Sequence, residues 1–255
     1  ARYDVPADAW YFAANRSRQM PFCVLLEIAL QPCGWLAAYV GSALTSQVDL
    51  CFRNLDGTAR QLRPVDRNSG TLTTQVTLTR VSSSGGMIIQ GYDFCVHDQQ
   101  GPVYQGETLF GFFTAAALAN QVGLRTAQPY LVSAKEQAGG APFDYPSQPP
   151  FPDQQLRMLD RIELFCPAGG PAGAGWIRGN KQVDPQEWFF AAHFYQDPVC
   201  PGSLGLESFL QLLRVIATHH WGEEAAGNLQ LTSAPHQWSY RGQITPTNRQ
   251  VRVEA

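Results

Sequence analysis

Trp10-Tyr11-Phe12-Ala13-Ala14-Asn15 is echoed 178 positions later by Trp188-Phe189-Phe190-Ala191-Ala192-His193. After a short gap the echo resumes: Met20-Pro21-Phe22-Cys23-Val24-Leu25-Leu26-Glu27 matches Cys200-Pro201-Gly202-Ser203-Leu204-Gly205-Leu206-Glu207 at an offset of 180. Each copy is a loop, a proline at a helix start, and an apolar helix with one Glu six residues beyond that proline. Proline suits a first helical turn because its missing N–H has no partner to lose there. A repeat of this kind describes one folding unit written twice.

Between the copies, Thr71 to Val81 alternates with β-branched residues, and Gly86 to His97 and Pro102 to Thr114 read as two further strands across the turn Asp98-Gln99-Gln100-Gly101. Together they predict an antiparallel meander. Residues 127–155 are rich in Pro, Gly, Ser and Gln and read as a linker over the surface. Leu156 to Phe165 and Gly175 to Val183 read as strands leading into the second helix, and strand-like segments resume at Leu229 to Tyr240 and Gln250 to Glu254. One long helix per copy with antiparallel strands predicts two α+β units whose sheets each cover a helix. Copy two has strands before its loop that copy one lacks, and copy one has long strands after its helix that copy two lacks. The sequence therefore reads as cut at both ends from something longer.

The chain has 255 residues, of which 44% are hydrophobic and only 15% charged, with a formal net charge of -3. Such a composition buries much surface and has no basic run to meet nucleic acid or an anionic membrane. Six scattered cysteines without a C-x-x-C pair read as reduced thiols, and the N-terminus has no secretory pattern, so a cytoplasmic location is expected. The apolar stretch Pro21 to Leu44 contains Glu27, Gln31 and Pro32 and reads as a helix buried on all sides, not a membrane span.

His193 stands in a loop leading directly into a helix N-terminus beside Gly202. Unpaired helix amides and the positive end of the helix dipole receive developing negative charge there, and glycine lets a substrate approach the backbone. Glu27 and Glu207 lie roughly 9 Å down their helices among apolar neighbours, where desolvation raises a carboxyl pKa toward neutrality. Each is otherwise a structural carboxyl hydrogen-bonded internally. A His base, a buried carboxyl and a helix N-terminus suit removal of the proton next to a thioester carbonyl and loss of a β-hydroxyl, with no metal or organic cofactor. His219-His220 with Glu223-Glu224 lacks the H-E-x-x-H order of a zinc site, so no metal is expected. Gly173-Ala174-Gly175 reads as a hairpin connection, and Gly202-Ser203-Leu204-Gly205 is not a G-x-S-x-G elbow.

The run from His193 through Val199, Gly202 and Ser203 to Glu207 resembles the active-site signature of bacterial 3-hydroxydecanoyl-[acyl-carrier-protein] dehydratase/isomerase, a hot-dog fold enzyme. The first copy, Gln19 through Glu27 to Trp35, with Trp238-Ser239-Tyr240-Arg241-Gly242-Gln243, resembles the tandem dehydratase domains of polyunsaturated-fatty-acid synthases. The resemblance implies a pseudo-dimeric double hot dog, two antiparallel sheets each wrapping a long central helix. Its units would be 1–127, degenerate, and 156–255, joined by the linker 128–155. It implies His193 and Glu27 as the catalytic pair drawn from both units, Gly202 as oxyanion donor, Val199 as the carbonyl setting the His tautomer, and Ser203 beside them. It leaves Asn15 with Glu207 as a vestigial second site, because an amide is no base. The sequence departs from the free-standing enzyme in carrying Glu in place of Asp at both acidic positions and Ser203 in place of Cys.

The implied activity is dehydration of a 3-hydroxyacyl thioester to the trans-2-enoyl thioester. The substrate would ride on the phosphopantetheine of an acyl carrier protein, with other domains of the same fatty-acid or polyketide synthase as partners. Three further readings stay open: a dehydratase that also makes the cis-3 alkene, a non-catalytic acyl-binding module, and a hot-dog thioesterase.

Overall fold

The computed structural model describes residues 1–229 and 234–255. In chain order the elements are β1 (Arg2–Asp4), α1 (Trp10–Asn15), α2 (Phe22–Tyr39), β2 (Cys51–Gln61), β3 (Thr71–Ser84), β4 (Met87–Asp98), β5 (Gly101–Phe113), α3 (Ala115–Ala119) and α4 (Ala134–Gly139). They continue with β6 (Phe143–Asp144), β7 (Arg161–Cys166), β8 (Trp176–Gln182), α5 (Trp188–Ala192), α6 (Gly202–Gly227), β9 (His236–Ser239) and β10 (Gln250–Glu254). They form two compact units: residues 1–9, 18–125 and 230–243, and residues 10–17, 126–229 and 244–255.

The first unit is a six-stranded antiparallel sheet in the order β1-β3-β4-β5-β2-β9 with α2 packed on β3 and β4. The meander is β3–β4–β5, with Tyr92 opposite Thr108 and Val96 opposite Tyr104 on the face turned to the helix. Alternation does the sorting: Ile88, Gln90, Tyr92, Phe94 and Val96 of β4 are all buried, while Met87 and Asp93 are exposed. From α2 the sheet receives Cys23, Leu25, Leu26, Ala29, Leu30, Cys33 and Ala37. The helix is nevertheless amphipathic in place, not buried on all sides as its composition suggested. Trp35 is 67% and Tyr39 74% exposed, because hydropathy counts apolar residues without saying how many faces have a partner.

Pro32 stands inside α2 and withholds the N–H that would bond to the carbonyl of Ile28. The buried Thr74 of β3 supplies the missing donor, its hydroxyl reaching Ile28 O at 3.1 Å. That bond ties the helix to the sheet one residue from Glu27. On the other edge, Trp238 of β9 lies over Gly57 of β2, where an added Cβ would stand 2.0 Å from the indole ring. The Trp238 indole donates to Asn54 Oδ1 at 2.7 Å, Arg241 pairs with Asp56 at 2.7 Å, and Gln243 Oε1 accepts from Arg53 at 3.0 Å. The Trp238–Gln243 signature is thus a clasp that fastens the segment of β9 onto β2.

The second unit is a four-stranded antiparallel sheet, β10-β8-β7-β6, packed on α6. Its core joins Leu159, Ile162 and Ile177 with Leu212, Val215 and Val253. Tyr145 and Phe151 also belong to that core, so 128–155 does not run outside the units as a surface linker. Its Pro and Gly content disfavours long helices, whereas its aromatics are what decide burial. The sequence boundaries shift again at two points: 10–17 packs in the second unit and 234–243 in the first. The long strand β2 and the short β1 and β6 carry no clear alternation, and no sequence pattern announces them. Of the strand expected over Leu229 to Tyr240, residues 230–233 lie outside the described residues, and the strand observed is His236–Ser239.

Thr74→Val keeps the volume but orphans the Ile28 carbonyl, and is expected to lower the unfolding free energy by about 1–3 kcal/mol in urea titrations. An unchanged midpoint would mean that the bond carries no stability.

Candidate active site

Both long helices start alike. Pro21 (φ -54°, ψ 139°) and Pro201 (φ -53°, ψ 133°) precede them in nearly the same conformation, and each proline carbonyl accepts the first two intrahelical bonds. In the second copy the residues that follow are Gly202 and Ser203, whose amides come too early in α6 for an intrahelical acceptor. In the first copy the position equivalent to Gly202 is Phe22, whose ring packs edge-on against Tyr104 and His236 at 5.9 and 5.2 Å.

His193 caps the C-terminal end of the five-residue α5 in an extended conformation (φ -141°, ψ 99°), so its side chain leaves the helix. The chain then turns through Phe194–Asp197, closed by reciprocal backbone bonds of 3.1 and 3.2 Å with Gln196 at φ 56°. That turn brings Val199 back beside His193: Val199 N donates to His193 O at 2.8 Å, and Val199 O lies 2.8 Å from His193 Nδ1. A carbonyl only accepts, so Nδ1 carries a proton, and in the neutral ring the lone pair is then on Nε2. Cys200, next along, donates its backbone N–H to Ile244 O at 2.8 Å, and burial pushes its thiol up to about 12, which removes it as a nucleophile. His193, Val199, Gly202 and Ser203 therefore sit together on one short loop and helix start of the second unit.

The two glutamates occupy equivalent helix positions but unlike surroundings. Glu207 is 2% exposed, and its Oε1 accepts from the Gln211 side chain at 3.1 Å. Gln211, fully buried, also donates to Leu156 O at 2.9 Å and accepts from Met158 N at 2.8 Å, so Glu207 is wired into the packing of 156–158. Glu27 is half-buried and Gln31, the counterpart of Gln211, is exposed. Glu27 lies in the first unit and His193 in the second.

Asn15, equivalent to His193, lies in the second unit and is held there by Arg214. Its side-chain oxygen accepts from Arg214 Nη2 at 3.1 Å, and Arg214 Nη1 reaches Asn15 O and Pro150 O at 3.4 and 2.9 Å. The position equivalent to Arg214 in the first helix is Gly34. Asn15 and Glu207 are thus each committed to a structural partner on α6. Arg16 adds bonds to Ser147 O at 2.6 Å and Phe151 O at 3.2 Å, and Trp10 meets its own repeat equivalent, Trp188, at 5.4 Å.

Sequence reasoning missed four residues around these positions. Gln211 and Gln31 are legible as a Gln four residues after each Glu, one turn on along the same face. Arg214 is legible only through the repeat offset. His236, stacked on Tyr104 with Nε2 3.0 Å from its hydroxyl, has no pattern to mark it; burial lowers its pKa below the ordinary histidine range. The His219-His220 pair goes to packing, with His219 edge-on to Phe165 and His220 Nε2 bonded to Ala174 O at 3.1 Å.

The FabA-like domain family matches residues 151–255, the stretch holding His193, Val199, Gly202 and Glu207. Over those residues the chain is similar to FabA-like domains. The chain is 36% identical over 280 residues to a component of the polyunsaturated fatty acid synthase of Thraustochytrium sp., a match that takes in 99% of this chain and 19% of that one. The chain therefore spans about a fifth of that relative's length. Among solved structures it is similar to a MaoC-like dehydratase (12% identity, TM-score 0.49, covering 98% of this chain and 79% of the other). It is also similar to HtdX of Mycobacterium tuberculosis (11% identity, TM-score 0.46, covering 96% and 84%).

Arg214→Ala removes the clamp on Asn15 and leaves several acceptors unsatisfied, and is expected to cost roughly 1.5–3 kcal/mol of stability by urea unfolding. A midpoint equal to that of the unaltered chain would show that Arg214 contributes nothing there.

Proposed function

We propose that the chain dehydrates 3-hydroxyacyl thioesters, carried on the phosphopantetheine of an acyl carrier protein, to trans-2-enoyl thioesters. The observation that carries this reading is the Val199 carbonyl 2.8 Å from His193 Nδ1, which leaves Nε2 as the base on the loop that opens onto the Gly202 helix start. In the step itself, His193 Nε2 takes the proton from the carbon next to the thioester carbonyl. The electron pair moves onto the carbonyl oxygen, where the Gly202 amide and the positive helix end stabilise it. The pair then returns to form the alkene as the β-hydroxyl leaves, and the carboxyl of Glu27 gives that hydroxyl a proton so that it departs as water. His193 later returns its proton to restore Glu27 through solvent, and no electrons are gained or lost.

Glu27 is assigned as the acid, in preference to Glu207, from its half-buried place and from the family resemblance. Support for the synthase setting comes from the Thraustochytrium relative, and for the chemistry from the FabA-like match. The neighbouring domains of such a synthase are the proposed partners, in the cytosol.

The test is mass spectrometry of a 3-hydroxyacyl-pantetheine thioester incubated with the chain. Loss of one water in the unaltered chain and in Glu207→Gln, with the rate in His193→Ala and Glu27→Gln reduced by about 100-fold or more, is the expected pattern. Binding without turnover across several chain lengths would make the chain a non-catalytic acyl-binding module. Free acid would make it a thioesterase, a cis-3 product would add isomerisation, and a dead Glu207→Gln beside an active Glu27→Gln would reverse the carboxyl assignment.

A further inference from the structure

A helix of five residues does not hold itself in place, yet α5 carries His193 at its end. Its start is fastened from outside the helix. Glu187, the residue before Trp188, turns its carboxylate away from the helix amides and onto Lys181 Nζ of β8 at 2.7 Å. The two side chains are only 13% and 22% exposed, so water screens this pair less than an ordinary surface ion pair. Lys181 is held in turn by Arg157 O at 3.4 Å, and its strand by β10 through the pairing of Val251 with Lys181. Backbone bonds carry the anchor forward: Phe190 N to Glu187 O at 3.0 Å and His193 N to Phe189 O at 2.9 Å. Both charges also act on the thiol of Cys200, at the far end of the His193 loop. The pair therefore stands near both ends of the segment that sets the imidazole.

The repeat provides an internal comparison. At the same offset that takes His193 to Asn15, Glu187 becomes Ala9 and Lys181 becomes Tyr3. The copy whose histidine has become an amide also lacks the ion pair, and there the equivalent residue remains inside the helix, since α1 runs through Asn15.

We propose that the Lys181–Glu187 ion pair is a positioning device for His193, fixing the start of α5 so that the imidazole leaves its end facing the Val199 carbonyl. The proposal rests on the dehydratase reading for its kinetic consequence but not for its geometry, and the experiment separates the two.

The variants are Glu187→Gln, Lys181→Met and the charge-exchanged double variant Lys181→Glu/Glu187→Lys. Arg252→Ala serves as control, since it breaks a more exposed pair with Glu163 in the same unit. Turnover of the 3-hydroxyacyl-pantetheine thioester, thermal midpoint and the 15N shifts of the His193 ring are measured on each. Each single variant is expected to lower kcat by about tenfold or more with KM little changed, because misplacing a reacting group by a fraction of an ångström is that costly. The His193 shifts should move from a pure Nδ1–H tautomer toward a mixture, the exchanged variant should recover most of both, and Arg252→Ala should change neither. If Glu187→Gln keeps its fold, the full kcat and an unaltered His193 tautomer, the proposal is overturned. It is equally overturned if kcat falls only in step with the thermal midpoint while the ring shifts stay put, which is a merely structural role. Should Glu187→Gln fail to fold, Lys181→Met removes the same pair from its other side and is read the same way. Should the unaltered chain not dehydrate the substrate, the dehydratase reading falls alone and the ring shifts still decide the positioning role.

Discussion

Burial of one apolar helix against one face of an antiparallel sheet is the constraint on which both units depend. A mostly apolar helix gains its free energy by being covered, and a sheet with alternating side chains has one face to cover it with. The arrangement creates a specific problem in the first unit, where Pro32 leaves a carbonyl without its donor inside the covered helix. A threonine on the facing strand solves it: Thr74 reaches Ile28 O and so fixes where α2 lies on β3, and with it the height of Glu27. In the second unit the same role of joining helix to surrounding chain falls to Gln211, whose side chain bonds 156–158 from a position with no exposed surface.

The two copies have diverged in opposite directions from this shared plan. The second keeps the loop chemistry, with histidine, glycine and a reciprocal Val199 contact, but its own glutamate is sealed under Gln211. The first has a half-buried Glu27 and an exposed Gln31, but its loop ends in Asn15 held by Arg214, and a phenylalanine stands where glycine opens the other helix start.

Much of the fold was legible because it is written as periodicity and repetition. The meander β3–β4–β5 alternates cleanly, both helix starts are marked by proline, and the offset between Pro21 and Pro201 locates the equivalent residues. The short strands β1 and β6 and the long β2 escaped because edge and mixed strands lack a clean two-residue rhythm. The segment 128–155 misled because Pro and Gly report backbone conformation, while Tyr145 and Phe151 report burial, and the two properties are separable. The extent of α2 exposure escaped for the same reason as any burial read from hydropathy: composition does not count partners.

The residue types and their order were legible in the chain: a histidine, a carbonyl six residues on, a glycine at a helix start, and a glutamate at the same place on each helix. Those depend on local spacing, which a chain carries wherever it folds. Contacts between distant segments bury Glu207 while Glu27 stays half-buried, set the His193 ring nitrogen that faces the Val199 carbonyl, and bring Arg214 to Asn15 and Lys181 to Glu187. Burial and hydrogen bonding between segments far apart in sequence are properties of the assembled core, and no local spacing encodes the desolvation that sets them.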